Sequence, residues 1–135
     1  MNNTMQGIIT GEVVHGNRIG HQLGFPTANL ALSDRDDTPN GVYAVRVSVG
    51  GIRYGGVANI GSSPTVTDRP QRFLEVYIFG FEGDLYGKTI AVEPVAYLRP
   101  ETKFASLDAL KEQIEKDKTA SQNIPEYDER PEPSL

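Results

Sequence analysis

A chain of 135 residues is long enough to bury one core and too short for two ordinary domains. Its 13 Lys+Arg against 18 Asp+Glu leave a charge of −5 with histidines neutral, which argues against a nucleic-acid binder, because such a protein needs a basic surface to displace counterions. Cysteine is absent, so disulfides, thiolate metal sites and Cys nucleophiles are excluded. No apolar run approaches membrane-spanning length and no basic-then-apolar leader opens the chain, which points to the cytoplasm.

Residues 1–6 are polar with little to bury. Residues 8–14 read as a first strand, ending at a loop in which Gly16, Gly20 and Gly24 recur every fourth residue. Residues 27–32 form a second predicted strand, and 33–40 a polar loop with strong turn chemistry. From 42 to 49 the pattern alternates: Tyr43, Val45, Val47 and Val49 share one face, with Ala44, Arg46 and Ser48 on the other. Gly50-Gly51 suits a two-residue hairpin turn into a strand over 52–60, which Gly61-Ser62-Ser63-Pro64 is expected to break.

The next predicted strand, 73–81, puts Phe73, Glu75, Tyr77, Phe79 and Phe81 on one face, so a carboxylate sits in an aromatic row. Such a carboxylate is expected to have a raised pKa, which suits a base; a strand-edge Glu facing solvent is the alternative. Gly83-Asp84 makes a turn into a sixth strand over 88–98. Six strands separated by turns, without alternating helices, predict an antiparallel barrel or sandwich. Only the end reads as helix: Phe104, Leu107, Leu110 and Ile114 follow helical spacing, Ser106 is a candidate N-cap, Asp108 lies in the first turn, and the helix is expected to stop near Asp117 or soon after it. Residues 7–120 are assigned to one domain, and 121–135, rich in Pro and acid, to a flexible tail.

Chemistry concentrates in Leu23-Gly24-Phe25-Pro26-Thr27-Ala28-Asn29-Leu30. Thr27 and Asn29 point the same way on an extended backbone. They offer a hydroxyl and a carbonyl oxygen, hard uncharged ligands that suit Mg²⁺ when phosphate oxygens and water complete the shell. Pro26 biases Phe25 towards extended geometry, and the glycine loop upstream leaves N–H groups open to an anion. Together these suggest phosphoryl transfer. The same residues also suit an ordinary turn and hairpin connection.

The run Gly16-x-x-x-Gly20-x-x-Leu23-Gly24-Phe25-Pro26-Thr27-Ala28-Asn29 closely resembles riboflavin kinases. So do Gly41-Val42-Tyr43, Asn59-Ile60-Gly61-x-x-Pro64-Thr65, Leu74-Glu75-Val76, Leu85-Tyr86-Gly87-Lys88 and Leu98-Arg99-Pro100-Glu101-x-Lys103-Phe104. The resemblance covers about residues 7–117. It implies a six-stranded antiparallel Greek-key barrel with a C-terminal α-helix, transferring the γ-phosphate of ATP to the 5′-hydroxyl of riboflavin to give FMN and ADP. By resemblance Thr27 and Asn29 hold the metal, Mg²⁺ or another divalent ion, and Glu75 is the base. Gly16, Gly20, His21, Gly24 and Thr27 face the phosphates; Ile78, Gly80 and Tyr86 lie near the nucleotide; Arg99, Thr102 and Phe104 border the flavin.

Two departures stand out. His21 occupies a position that is commonly basic in bacterial members, and an exposed loop histidine is its bland alternative. The His-rich nucleotidyl-transfer motif of the FMN adenylyltransferase domain that usually precedes bacterial riboflavin kinases is missing, His15 and His21 being the only histidines. The chain is therefore a one-activity protein or a domain of a longer one. A non-catalytic flavin- or nucleotide-binding barrel is the competing reading, and an oligonucleotide-binding barrel a third, which the acidic balance disfavours.

Overall fold

The computed structural model describes residues 7–14, 27–33, 36–63, 71–81, 83, 85–122 and 132–133. Six strands build the barrel: β1 (Ile9–Glu12), β2 (Thr27–Ala31), β3 (Gly41–Val49), β4 (Ile52–Ser63), β5 (Gln71–Ile78) and β6 (Thr89–Arg99). Helix α1 (Leu107–Gln122) follows, and a two-residue β7 (Glu132–Pro133) ends the described chain. The spatial order is β1-β6-β3-β4-β5-β2, every pairing antiparallel. Strands β3, β4 and β5 neighbour one another in succession while β6 returns beside β3, a Greek key. The ends of this order meet at a bridge, where the Val14 N–H donates to the Asn29 carbonyl at 2.8 Å. The six-stranded Greek-key barrel with a C-terminal helix is therefore as expected.

The alternation read in β3 fills the interior: Tyr43, Val45, Val47 and Val49 join Leu30, Ile60, Leu74, Val76, Ile78, Ile90 and Val92 in one apolar cluster. Gly50 and Gly51 have φ of 57° and 84°, the left-handed pair that a two-residue hairpin turn requires and that glycine adopts without penalty. Beyond Ile60, β4 does not break. It continues through Ser63 because β5 starts at Gln71 and offers main-chain partners as far as the Ser63–Gln71 pair. Ladder hydrogen bonds come from the backbone, so they outweigh the weak strand preference of Gly and Ser.

At its other end β5 stops at Ile78, three residues early. Gly80, with φ 85°, turns the chain, and Phe81 packs on the interior cluster, edge-on to Tyr54 at 5.4 Å between ring centroids. The expected aromatic row is thus divided: Tyr77 and Phe79 lie outside the barrel wall, and Phe81 does not.

Tyr77 and Phe79 form a second apolar cluster with Val42, Val57 and Ile114, flanked by Leu98 and Leu110. It is the seat of α1. The helix opens as expected, the Ser106 hydroxyl oxygen accepting the Ala109 N–H at 3.1 Å, with Asp108 in the first turn where the helix dipole favours an acid. Ile114, Asp117 and Ser121 are its buried residues, a spacing of three and four that keeps them on one face, whereas Leu107 remains 40% exposed. The helix runs on to Gln122, past Asp117, with Ser121 fully buried and its hydroxyl donating to the Asp117 carbonyl at 2.9 Å. Within the segment read as a tail, Glu132 and Pro133 pair with Arg53 and Ile52 at the start of β4.

Candidate active site

Interior residues alternate with outward ones on each strand, so the register between strands decides which outward side chains meet. Asn29 stands opposite Glu75, Glu75 opposite Asn59, Asn59 opposite Val42, and Val42 opposite Arg99. One row runs across β2, β5, β4, β3 and β6 on the outer wall. Thr27, Tyr77 and Val57 make the next row. Helix α1 roofs the β5–β4–β3–β6 part. Between roof and wall lies a cavity of about 190 Å³ lined by Val42, Val57, Asn59, Glu75, Tyr77, Arg99, Glu101, Thr102, Phe104, Leu110, Ile114 and Asp117.

Glu75 joins this cavity to the Thr27–Asn29 strand. Its Oε1 accepts a long hydrogen bond from the Tyr77 hydroxyl at 3.5 Å. Its Oε2 is buried without a hydrogen-bond partner among the described residues. Burial pushes the carboxyl pKa above the usual glutamate range, and the Tyr77 hydrogen bond offsets this only in part. Tyr77 is itself pushed up, first by burial and then by the neighbouring Glu75 charge, and so stays a donor. The wall therefore holds a proton acceptor with one oxygen unclaimed.

The roof is fastened by a fork. Arg99 Nε and Nη2 donate to Asp117 Oδ1 and Oδ2 at 3.0 and 2.8 Å, Gln113 Nε2 donates to Oδ1 at 3.0 Å, and the Arg99 guanidinium carbon lies 5.8 Å from the centre of the Phe104 ring. A planar guanidinium matches a carboxylate bidentately, so Arg99 borders the cavity while holding the helix over it.

Other expected site residues fall in several places. Thr102 and Phe104 line the cavity beside Arg99. Thr27 and Asn29 sit just beyond it, half-buried, opposite Tyr77 and Glu75. Ile78 lies in the barrel core with its side chain fully buried, leaving only its main chain for a ligand, while Gly80 and Tyr86 are exposed and away from the cavity. Gly16, Gly20, His21 and Gly24 lie outside the described residues. Among the described residues no three His, Cys, Asp or Glu side chains are grouped to hold a metal. Two neutral oxygens on β2 fit a divalent ion only if a nucleotide's oxygens and water supply the rest of its shell.

Sequence reading missed Asn59, Glu101 and Asp117. Asn59 could have been found from its outward parity on the strand next to Glu75. Glu101 sits inside a quoted block, yet its place emerges only in three dimensions: its carboxylate occupies the space a Cβ on Gly61 would fill, and its Oε2 accepts the Asn59 Nδ2–H at 3.2 Å. Asp117 carried no signal beyond a helical acid.

Fold and site together define a small antiparallel barrel with a cavity on its outer wall under a helix. The chain belongs to the riboflavin kinase family: the family model described as "Flavokinase: Riboflavin kinase" matches residues 5–124. It is 46% identical over 110 residues to a bifunctional riboflavin kinase/FMN adenylyltransferase of Haemophilus influenzae, covering 81% of this chain and 35% of that protein. The similar bifunctional protein of Bacillus subtilis is 45% identical over 113 residues, covering 82% and 36%. The chain thus spans about a third of the length of these curated relatives. Among solved structures, riboflavin kinase from Trypanosoma brucei superposes with a TM-score of 0.64 at 27% identity, covering 91% of this chain and 82% of that one. A Streptococcus pneumoniae chain described as a macrolide-efflux protein superposes at 0.76 with 40% identity, covering 86% and 38%. Among the described residues no helix is long and apolar enough to cross a membrane.

Proposed function

We propose that this chain phosphorylates riboflavin at its 5′-hydroxyl with ATP, giving FMN and ADP. The observation that carries this reading is the unclaimed, buried Oε2 of Glu75 in the cavity wall, one strand from Thr27 and Asn29. Phosphoryl transfer is mostly positioning and charge stabilisation, with a base for the attacking hydroxyl's proton. Glu75 takes that proton as the hydroxyl oxygen bonds to the γ-phosphorus, and the bond from the γ-phosphorus to the bridging oxygen breaks to release ADP. Thr27 and Asn29 would hold a divalent ion through their side-chain oxygens, and that ion would offset the phosphate charge. The apolar lining of Val42, Val57, Leu110 and Ile114 with Phe104 gives a flat aromatic ring a dry surface, and Arg99 and Thr102 border it. His21 and the glycine loop would face the phosphates. An adenylyltransferase domain in a longer parent chain and a cytoplasmic setting belong to the same reading.

The test is purified chain with riboflavin, ATP and Mg²⁺, the flavins separated by chromatography. FMN without FAD is expected, since the family match alone takes up residues 5–124. Absence of FMN with any divalent metal would remove the reading, and binding of riboflavin or ATP without turnover would favour a non-catalytic module. Thr27→Ala and Asn29→Ala are each expected to weaken Mg²⁺-dependent ATP binding while leaving riboflavin binding near wild type. Isothermal titration with and without Mg²⁺ checks this, and unchanged metal dependence would refute the assignment.

A further inference from the structure

Glu75 is flanked by two asparagines in register, Asn29 on β2 and Asn59 on β4, yet among the described residues neither bonds its buried Oε2. For Asn59 the reason is visible. Its NH₂ group is turned to Glu101 Oε2, 3.2 Å away. Glu101 belongs to the segment after β6 and reaches the wall only because residue 61 is glycine: a Cβ there would collide with the Glu101 carboxylate. Gly61 points outward with Asn59 and Val57, two residues on in the same strand. Its φ is not in the left-handed region, so space, not backbone conformation, is what glycine provides here.

We infer that Glu101 is a positioning residue for the kinase reaction, seated over Gly61 to hold the Asn59 amide away from the free oxygen of Glu75. The inference rests on the function proposed above. Residues directly opposite in an antiparallel pair are about 4.5–5.5 Å apart at Cα, so an amide freed from Glu101 can reach the carboxylate facing it. A carboxylate oxygen with a buried, empty lone pair is a stronger acceptor for an amide N–H than water is. Freed, Asn59 would occupy the oxygen that has to receive the substrate proton. Glu101 competes for that N–H with a second carboxylate and keeps the base open.

The test compares steady-state kinetics of four variants with wild type. Glu101→Ala removes the acceptor, and Gly61→Ala keeps it but evicts it from its seat. Each is expected to lower kcat about tenfold, the scale of one hydrogen bond to a charged group, with KM for ATP within about twofold, because the nucleotide is not held there. Glu101→Gln retains an oxygen for the Asn59 N–H and is expected to keep most of the wild-type rate. In Glu101→Ala/Asn59→Ala the intruding amide is gone, so kcat is expected to rise above that of Glu101→Ala alone. A merely structural Glu101 would instead make the double variant the slower of the two, and that outcome overturns the inference. So does Glu101→Ala turning over like wild type, or a Gly61→Ala that melts like wild type and keeps full rate. Glu101 is exposed, so its variants are expected to fold even if Gly61→Ala does not. No FMN from wild type would instead remove the proposed function, and this inference with it.

Discussion

On the inner face of β5, Leu74, Val76 and Ile78 are fully buried in the hydrophobic core cluster. On the outer face, one residue out of phase, Glu75 and Tyr77 line the cavity beneath the helix and carry polar atoms that are poorly matched. The same strand thus has a face that stabilises and a face that is costly. Each apolar side chain taken from water contributes roughly 1.5–3 kcal/mol, whereas a buried acceptor without a partner costs about 1–3 kcal/mol. The inner face supplies the surplus that lets the outer one keep an unsatisfied carboxylate.

The strongest way to break this contrast is Glu75→Gln. The amide keeps the size of the side chain but cannot take a proton, so kcat is expected to fall by about 10²–10⁴. Folding stability at neutral pH is expected to stay level or rise, because a neutral group replaces one that is costly to ionise there. Rapid-mix kinetics and thermal melting read the two quantities. A folded variant with normal kcat would remove Glu75 as the base and leave the barrel standing.

Leu74→Ala, one residue away on the other face, is expected to do the reverse. A void in the barrel core costs about 2–5 kcal/mol of stability, read by urea unfolding, while kcat per folded molecule stays near wild type. A Leu74→Ala protein as stable as wild type would show that the two faces do not divide the work.

Asp117→Asn sharpens the comparison at the helix roof. The fork to Arg99 loses its charge partner, which is expected to cost about 1–3 kcal/mol, below the figure for a fully buried pair because Arg99 is 20% exposed. KM for riboflavin is expected to rise more than KM for ATP, since the roof covers the cavity. Equal changes in both would argue that the helix serves stability alone.

The smallest effect is in pH dependence. The Glu75 pKa is raised in the folded chain, so between the ordinary glutamate value and the raised one the folded state holds a proton that the unfolded state has released. Stability from this group is therefore present below the unfolded pKa and falls as pH rises through the folded one. Activity needs the ionised base and moves the opposite way, rising through the same window. Both slopes are expected to vanish in Glu75→Gln, and an acid limb that persists in kcat there would assign the titration to another group.

Much of this was legible in the chain. The alternation of Tyr43, Val45, Val47 and Val49 gave the core face of β3, Gly50-Gly51 the hairpin, Ser106 the helix start, and the sequence blocks the family. Errors fell at element ends. Ser62 and Ser63 read as a break but continue β4, because β5 supplies ladder partners that no local preference reveals. Phe81 read as sharing one face with Glu75 and Tyr77, but past the turn at Gly80 it packs on the interior cluster and meets Tyr54.

Period-two alternation specifies which face of a strand a residue occupies, and the composition of that face says whether it is buried. Those quantities are local, and the sequence by itself determined them, together with the expectation that Glu75 stands among aromatics and titrates high. Which residue on another strand stands opposite is set by register, through contacts between segments far apart in the chain. Only the tertiary structure could place Asn59 beside Glu75, seat Glu101 over Gly61 across some forty residues, or fork Arg99 onto Asp117, because each pairing depends on how the whole barrel closes.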